Sequence, residues 1–145
     1  MRCFFDTSVL VAASVRQHPH FNRADAKLRR CISGQDTGLL HSHSLLEFHS
    51  AMTQLPKGLA VPPHEVKTIL DEGILPHMEC KALPRSKVIE AQCLAAETGL
   101  IGGIIYDFFH LIAAREMRAE IVWTFNLRHF EAIVPADMPF AIKEP

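Results

Sequence analysis

The sequence predicts an α/β fold, a three-layer α/β/α sandwich on a mostly parallel sheet of four or five strands. Short apolar runs alternate along the chain with longer stretches of helical periodicity, which is typical of strand–helix–strand crossover units. The length of 145 residues is close to that of one average domain, and 48% of the residues are hydrophobic. Residues 1–145 contain no repeat, low-complexity tract or linker, so we expect a single domain.

The chain begins with a strand, a turn and two helices. Residues 2–5 (RCFF) form a short apolar run with aromatic character, which predicts the first strand. Asp6, Thr7 and Ser8 then supply polar side chains that favour a helix start, and VLVAASV continues as that helix. Apolar side chains at three- and four-residue spacing predict a second helix over about 21–31, which SGQD closes with a turn.

The middle of the chain repeats this order of strand and helix. TGLLH at 37–41 predicts the second strand, and SHSLLEFHSAMTQL at 42–55 predicts a third helix that ends before Pro56. Pro63 introduces a further helix over HEVKTILDEGIL. A third strand is expected at about 78–83, so that each strand is followed by helix.

The last third of the chain contains two helices and two more strands. Pro84 precedes SKVIEAQCLAAETGL, whose apolar side chains lie along one helical face. Gly102 and Gly103 break the chain before IIYDFFHLIAAREM, a largely apolar helix. EIVWTF at 120–125 is rich in β-branched and aromatic residues and predicts the fourth strand, and PFAI at 139–142 is a candidate for the fifth.

Charge and cysteine content exclude several classes of protein. The 15 basic and 16 acidic residues nearly cancel, so the total charge predicts no general attraction to nucleic acid or to a membrane, and a charged site must be local. The four cysteines form no CxxC pair, which indicates reduced, mostly packed thiols. The sequence begins with no secretion signal, and no segment approaches the roughly 20 apolar residues of a membrane span. We therefore expect a cytoplasmic protein.

Polar side chains follow the predicted strands at one edge of the sheet. Asp6 follows the first strand, Glu47 lies in the first turns of the helix after the second, and Asp107 begins the helix that leads into the fourth. Thr124 and Asn126 close the fourth strand. Because sites in such sheets lie beyond the carboxyl ends of the strands, we expect the three carboxylates and the Asn126 amide to converge there.

Each of these residues also has a purely structural interpretation. Asp6 is a favourable cap for the helix that follows it, and Ser44 with Glu47 fits a capping box. Asp107 near a helix start is stabilised by the helix dipole. Asn126 fits a turn before LRHF. Taken singly, none of the four requires a catalytic explanation.

The three carboxylates as a set favour a metal site. Carboxylates within ~4–6 Å raise one another's pKa, so a cluster that stays ionised requires a cation between them. Oxygen ligands without a cysteine pair suit Mg²⁺ or Mn²⁺. Such an ion activates water and neutralises charge on a phosphoryl group, which predicts phosphodiester chemistry.

Four motifs occur in this order and are distributed over nearly the whole chain: FFDTSVLVAA, SLLEF, GLIGGIIYDFFHLIAA and TFNLRHF. In combination they resemble a PIN domain, and within that superfamily the VapC-type toxins of bacterial toxin–antitoxin pairs. The resemblance implies a small α/β/α sandwich with the activity of a Mg²⁺- or Mn²⁺-dependent endoribonuclease. Such an enzyme cuts single-stranded stretches of structured RNA, pairs as a homodimer and is silenced by a cognate antitoxin.

The resemblance also assigns roles to particular residues. Asp6, Glu47 and Asp107 match the acidic metal positions of the family. Thr124 matches the hydroxyl residue at the end of the fourth strand, and Ser8 matches the small hydroxyl residue near the first aspartate. These assignments agree with the cluster expected from the strand ends.

The last motif departs from the family pattern. Many relatives have aspartate at the position of Asn126, or just before the closing Phe, where this chain has His129. The Asn126 amide can still offer an oxygen to a metal or its water, but it adds no negative charge. A second metal site should therefore be weakened. This leaves open an alternative, a catalytically weakened PIN-like module that binds RNA or protein without cutting.

Histidine pairs suggest a second kind of metal site. The H-x-H pairs at 18–20 and 41–43 could hold zinc on a strand, but neither has a third ligand at a recognised spacing, so zinc is not predicted. His110 lies three residues after Asp107 on the same helix, which places it on the same side, near the acidic edge.

A haloacid-dehalogenase-like phosphatase is a further hypothesis, because FFDTSV resembles its aspartate nucleophile. That chemistry requires a second aspartate two residues later, where this chain has Ser8, so the hypothesis is disfavoured. Candidate partners for substrate phosphates are Arg16, Lys57, Arg115 and Arg128, but solvated surface charge is the favoured interpretation of each, and none is assigned to the site.

Overall fold

Five strands form one sheet in the part of the chain that the structure describes, and every neighbouring pair runs parallel. The structure is a computed structural model and describes residues 1–56 and 58–145, so Lys57 lies outside the described residues. The spatial order is β3-β2-β1-β4-β5. The strands are β1 (Arg2–Phe5), β2 (Thr37–His41), β3 (Met78–Lys81), β4 (Ile121–Trp123) and β5 (Ala141–Lys143).

Helices connect the strands and cover both faces of the sheet, which confirms the predicted α/β fold. They are α1 (Thr7–Ser14), α2 (Phe21–Ile32), α3 (Ser42–Thr53), α4 (Pro63–Thr68), α5 (Arg85–Thr98), α6 (Ile104–Glu116) and α7 (Leu127–Ile133). Among the described residues, no helix has the length and apolar character needed to cross a membrane.

The hydrophobic core is divided by the sheet into two clusters. Successive strand residues point to opposite faces, so Phe4 and Leu39 pack with α5, α6 and α7, whereas Phe5 and Leu40 pack with α1, α2 and α3. All four are fully buried or nearly so. This double burial explains why the inner strands β1, β2 and β4 are largely apolar and do not alternate, whereas the edge strands β3 and β5 are mostly exposed.

Two predictions about helices need correction. The single helix expected after Pro63 is α4 followed by a π-helical turn, Ile69–Ile74, and a 3₁₀ turn, Leu75–His77. The π-helical turn contains a glycine and the 3₁₀ turn a proline, and neither residue favours a regular α-helix interior. In addition, α7 occupies LRHFEAI, where only a turn was expected.

The strand order sets the position of the candidate site. β1 lies at the centre of the sheet, and its last residue, Phe5, is paired with Trp123, the last residue of β4. The Asp6 backbone N–H continues this pairing by donating a 3.0 Å hydrogen bond to the Trp123 carbonyl. Residues that follow β1 and β4 therefore meet at one edge, as the sequence predicts.

Candidate active site

A cleft of about 640 Å³ opens at the carboxyl edge of the sheet. Four of the five predicted site residues line it: Asp6, Glu47, Asp107 and Asn126. The fifth, Thr124, is fully buried and contacts Asp6 from below the cleft surface. The structure therefore brings together side chains that are distant in sequence, as the strand ends predict.

Two hydroxyl groups hold the Asp6 carboxylate in place. Ser8 Oγ donates to Asp6 Oδ2 at 2.5 Å, and Thr124 Oγ1 donates to the same oxygen at 2.8 Å. Although Asp6 stands at the N-cap position of α1, its side chain makes no capping hydrogen bond to any described residue. The capping interpretation of this side chain is therefore wrong.

The same two hydroxyls tie the end of β1 to the chain that follows β4. Thr124 Oγ1 accepts a hydrogen bond from the Asn126 backbone N–H at 2.9 Å, and Ser8 Oγ accepts one from the Phe125 N–H at 3.1 Å. Each hydroxyl thus donates to the carboxylate and accepts from backbone, which leaves little freedom to rotate. Asn126 is the N-cap residue of α7, but within the described residues its amide makes no capping hydrogen bond.

Glu47 is bound by three side chains. Its Oε2 accepts hydrogen bonds from Thr7 Oγ1 at 2.8 Å and from His110 Nε2 at 2.9 Å, and its Oε1 lies 3.2 Å from His43 Nε2. Burial raises the pKa of Glu47, but the hydrogen bonds and the charges of the two histidines outweigh this effect and hold the pKa below its usual value. Glu47 is therefore ionised at neutral pH.

The capping box expected for Glu47 is wrong. Helix α3 begins at Ser42, so Glu47 lies beyond its first turn, and no side chain in the described part of the chain caps this helix. Ser44 Oγ is buried without a hydrogen-bond partner among the described residues. The carboxylate points instead to Thr7 on α1 and His110 on α6.

Asp107 lies in the first turn of α6 and has a strongly perturbed pKa. Burial, followed by the negative charge of Asp6 and more weakly that of Glu47, raises the pKa of Asp107 to about 6, although His110 and His129 act in the opposite direction. The location in the first helical turn agrees with the helix-dipole interpretation. Burial is the main cause of this rise, and the part of it that comes from the charges of Asp6 and Glu47 is a repulsion that a cation in the cleft would relieve.

The donor set fits a hard divalent cation, although its present geometry is not a closed ligand shell. Three carboxylates and one amide line the cleft, and oxygen donors of this kind suit Mg²⁺ or Mn²⁺. In the described part of the chain, however, no three His, Cys, Asp or Glu side chains are close enough together to hold one ion. Both carboxylate oxygens of Glu47 contact a histidine instead, Oε2 that of position 110 (His110) and Oε1 that of position 43 (His43).

Histidines contribute more to the site than the sequence suggests. His110 was expected near the acidic edge, and it contacts Glu47 directly. The contact of His43 with Glu47 was missed, although their i,i+4 spacing on α3 is a usable signal. His41 is buried beside His110 and His43, and burial followed by these two charges lowers its pKa to about 4. His20 lines the cleft and stacks on Phe125.

The candidate phosphate partners that the structure describes do not line the cleft, and Lys57 lies outside the described residues. Arg115 donates to Glu90 Oε1 at 2.6 Å and also pairs with Glu116, so it belongs to a surface ion-pair network. Among the described residues that line the cleft, neither Arg16 nor Arg128 is present. The surface-charge interpretation of Arg115 is thus supported.

Known proteins share both sequence and fold with this chain. Residues 3–134 match the family model of the PIN domain. Ribonuclease VapC27 of Mycobacterium tuberculosis is 30% identical over 121 residues, which cover 80% of this chain and 79% of that protein.

Solved structures agree with the fold. VapC20 of Mycobacterium tuberculosis, described as a sarcin-ricin loop cleaving toxin, has a TM-score of 0.68 with 13% identity, covering 94% of this chain and 99% of its own. VapBC2 of Rickettsia felis, bound to a DNA fragment from its promoter, has a TM-score of 0.66 with 18% identity, covering 99% and 98%. FitAcB of Neisseria gonorrhoeae has a TM-score of 0.62 with 18% identity, covering 99% and 97%.

Proposed function

Because the chain belongs to the PIN domain family, we propose that it is an endoribonuclease, the toxin of a type II toxin–antitoxin pair, which acts in the cytoplasm. It hydrolyses RNA phosphodiester bonds with the help of Mg²⁺ or Mn²⁺. The observation that carries the proposal is the meeting of Asp6, Glu47 and Asp107 at one cleft, with Asn126 beside them. The relative VapC27 is named a ribonuclease, which supports the same activity.

The carboxylates of Asp6, Glu47 and Asp107 would hold the ion, and Asn126 would offer a neutral oxygen. A divalent ion there supplies water activation and neutralises charge on the phosphoryl oxygens. The protein's own contribution is orientation: Ser8 and Thr124 fix Asp6, while Thr7 and His110 fix Glu47. Such positioning of reacting groups lowers the entropic cost of the reaction.

The proposed partners are RNA as substrate and a cognate antitoxin as inhibitor. Toxin-type relatives in the comparisons, VapC20 and VapBC2, support this pairing. The homodimer implied by the family resemblance is part of the proposal. An alternative function, RNA or protein binding without cleavage, is favoured by the missing charge at Asn126.

Incubation of purified, antitoxin-free protein with structured RNA separates these two functions. We expect cleavage with Mg²⁺ or Mn²⁺ and its loss with excess chelator, because the carboxylates need the ion to act on a phosphate. Asp6→Asn and Asp107→Asn should each abolish cutting. The matched control is Asp137→Asn, which makes the same change at an exposed position away from the cleft.

Cleavage that persists in chelator would contradict the metal-dependent mechanism. Binding of RNA without any cleavage by the wild-type protein would support the non-catalytic alternative. Thermal melts of both variants check the fold, and we expect melting temperatures equal to or above that of the wild type because like-charge repulsion is relieved.

A further inference from the structure

A small apolar groove adjoins the acidic cleft and shares Tyr106 with it. The groove has a volume of about 340 Å³. Val88 and Gln92 of α5 form one side, Phe109 and Tyr106 of α6 form the other, and His43 of α3 also contributes. Because Tyr106 lines both cavities, a molecule in the cleft can extend into the groove without leaving the surface.

Tyr106 presents an aromatic face at this boundary. Its ring stacks on the His43 ring, with centroids 5.0 Å apart and an angle of 19° between the planes, yet 50% of the residue is exposed. His43 Nε2 in turn lies 3.2 Å from Glu47 Oε1. The aromatic pair is therefore connected directly to a carboxylate of the candidate metal site.

We propose that this groove binds one nucleobase of a single-stranded RNA whose phosphate lies in the acidic cleft, an inference that rests on the function proposed above. Bases of single strands can be splayed out and stacked on aromatic side chains. The Gln92 amide offers both a donor and an acceptor to the edge of such a base. The groove volume is at the low end of small-ligand pockets, which are ~300–1000 Å³, and so suits a single planar group.

The cleft carries a second aromatic stack. His20 and Phe125 both line the cleft, with ring centroids 4.5 Å apart and an interplanar angle of 18°. Two aromatic stacks, His20 with Phe125 and His43 with Tyr106, thus contribute residues to the lining of the cleft. Aromatic surfaces along the path of a strand are typical of proteins that bind single-stranded nucleic acid.

A protein partner fits the groove less well than a base. Stable protein interfaces bury on the order of 800 Å² on each side, which requires an extended surface. This groove is a local depression, and it is continuous with the cleft in which the phosphate is expected. An antitoxin segment or a second copy of the chain is an alternative that the experiment below must distinguish.

Cleavage of short single-stranded oligoribonucleotides, randomised around one cut site, tests the proposal. We expect the wild type to prefer certain bases at one position next to the cut. Tyr106→Leu should raise KM about tenfold and reduce this preference, because base–aromatic stacking is lost. Tyr106→Phe keeps the ring and should retain both properties, and Gln92→Leu should reduce the base preference with a smaller effect on kcat.

The matched control is Ile89→Ala, which truncates an exposed apolar residue of α5 that does not line the groove. Unchanged KM and base preference in Tyr106→Leu would overturn the proposal while leaving the nuclease function intact. Loss of antitoxin binding or of dimerisation in that variant, with cleavage unaltered, would likewise overturn it in favour of a protein occupant. If the wild type cuts no RNA at all, the proposed function itself fails, and this inference fails with it.

Discussion

Asp6 Oδ2 and Thr124 Oγ1 are joined by a 2.8 Å hydrogen bond that connects the carboxyl ends of β1 and β4. The two residues are 118 positions apart, and only the parallel pairing of the two strands brings them together. Thr124 is fully buried, so this bond is protected from competition with water. The orientation of a candidate metal carboxylate is therefore set by the sheet itself.

Thr124→Val should reduce both stability and activity. The valine keeps the shape of threonine but removes the donor to Asp6 and the acceptor for the Asn126 N–H. Loss of partners for such buried groups costs roughly 1–3 kcal/mol in the free energy of unfolding. Urea denaturation measures this cost, and cleavage rates measure the effect on Asp6. Thr124→Ser restores the hydroxyl and is the matched control. A valine variant that cuts RNA at the wild-type rate would contradict the positioning role.

Asp107→Asn should change the pH dependence of stability. The pKa of Asp107 is raised from 3.8 to about 6 in the folded state, chiefly by burial. The folded protein therefore binds more protons than the unfolded chain between these values, and this group's contribution to stability falls as the pH rises through that range. Above pH 6 the ionised carboxylate destabilises the folded protein by on the order of 1–2 kcal/mol, because solvent screens this half-buried group and reduces the roughly 1.4 kcal/mol expected for each pKa unit.

Asparagine carries no charge at any pH, so Asp107→Asn should be more stable than the wild type at pH 8 and nearly equal to it at pH 4. Urea denaturation without divalent ions measures both differences. His41 has the opposite effect, because burial lowers its pKa and the folded protein therefore loses stability as the pH falls below 6.5, the usual pKa of histidine. This loss occurs in both proteins and cancels from the difference between them. The same stability difference at both pH values would contradict the assigned pKa. Asp137→Asn serves as the control.

His110→Leu should weaken the site through Glu47. His110 Nε2 donates to Glu47 Oε2, and the buried His110 Nδ1 has no partner among the described residues, so the hydrogen bond to Glu47 is the one that this ring makes there. Removal of a side chain that orients a metal ligand typically costs 10- to 100-fold in metal affinity or activity. Titration with Mn²⁺, followed by the melting temperature, measures the affinity independently of cleavage. His49→Leu, at an exposed position of α3, is the control, and equal Mn²⁺ affinity in His110→Leu and wild type would exclude the role.

The sequence predicts the framework well because it depends on local patterns. β1 and β2 occupy the predicted residues, since each is an apolar run buried on both faces. In contrast, α7 was missed because LRHFEAI follows an asparagine that suits a turn equally well. The strand ends also predict that Asp6, Glu47 and Asp107 meet at one cleft.

The hydrogen-bond partners of these carboxylates could not be predicted from local patterns. Capping was a reasonable expectation for Asp6 and Glu47, but tertiary contacts with Thr124 and His110 replace it. These contacts join residues 118 and 63 positions apart in sequence. No helical or strand periodicity extends over such distances.

Asn126→Asp tests whether the neutral amide limits the site. The variant adds a fourth carboxylate to a cleft in which the existing charges already raise the pKa of Asp107. Without divalent ions, the melting temperature should therefore fall by several degrees because of added like-charge repulsion. With saturating Mn²⁺ the order should reverse, since an ion that binds the folded state more tightly stabilises it further. Cleavage should rise together with the Mn²⁺ affinity.

Asn22→Asp, a change of the same kind on α2 away from the cleft, is the control. An equal decrease in melting temperature with and without Mn²⁺ would mean that the side chain at position 126 does not face the bound ion. The hypothesis that Asn126 weakens a second metal site would then be wrong.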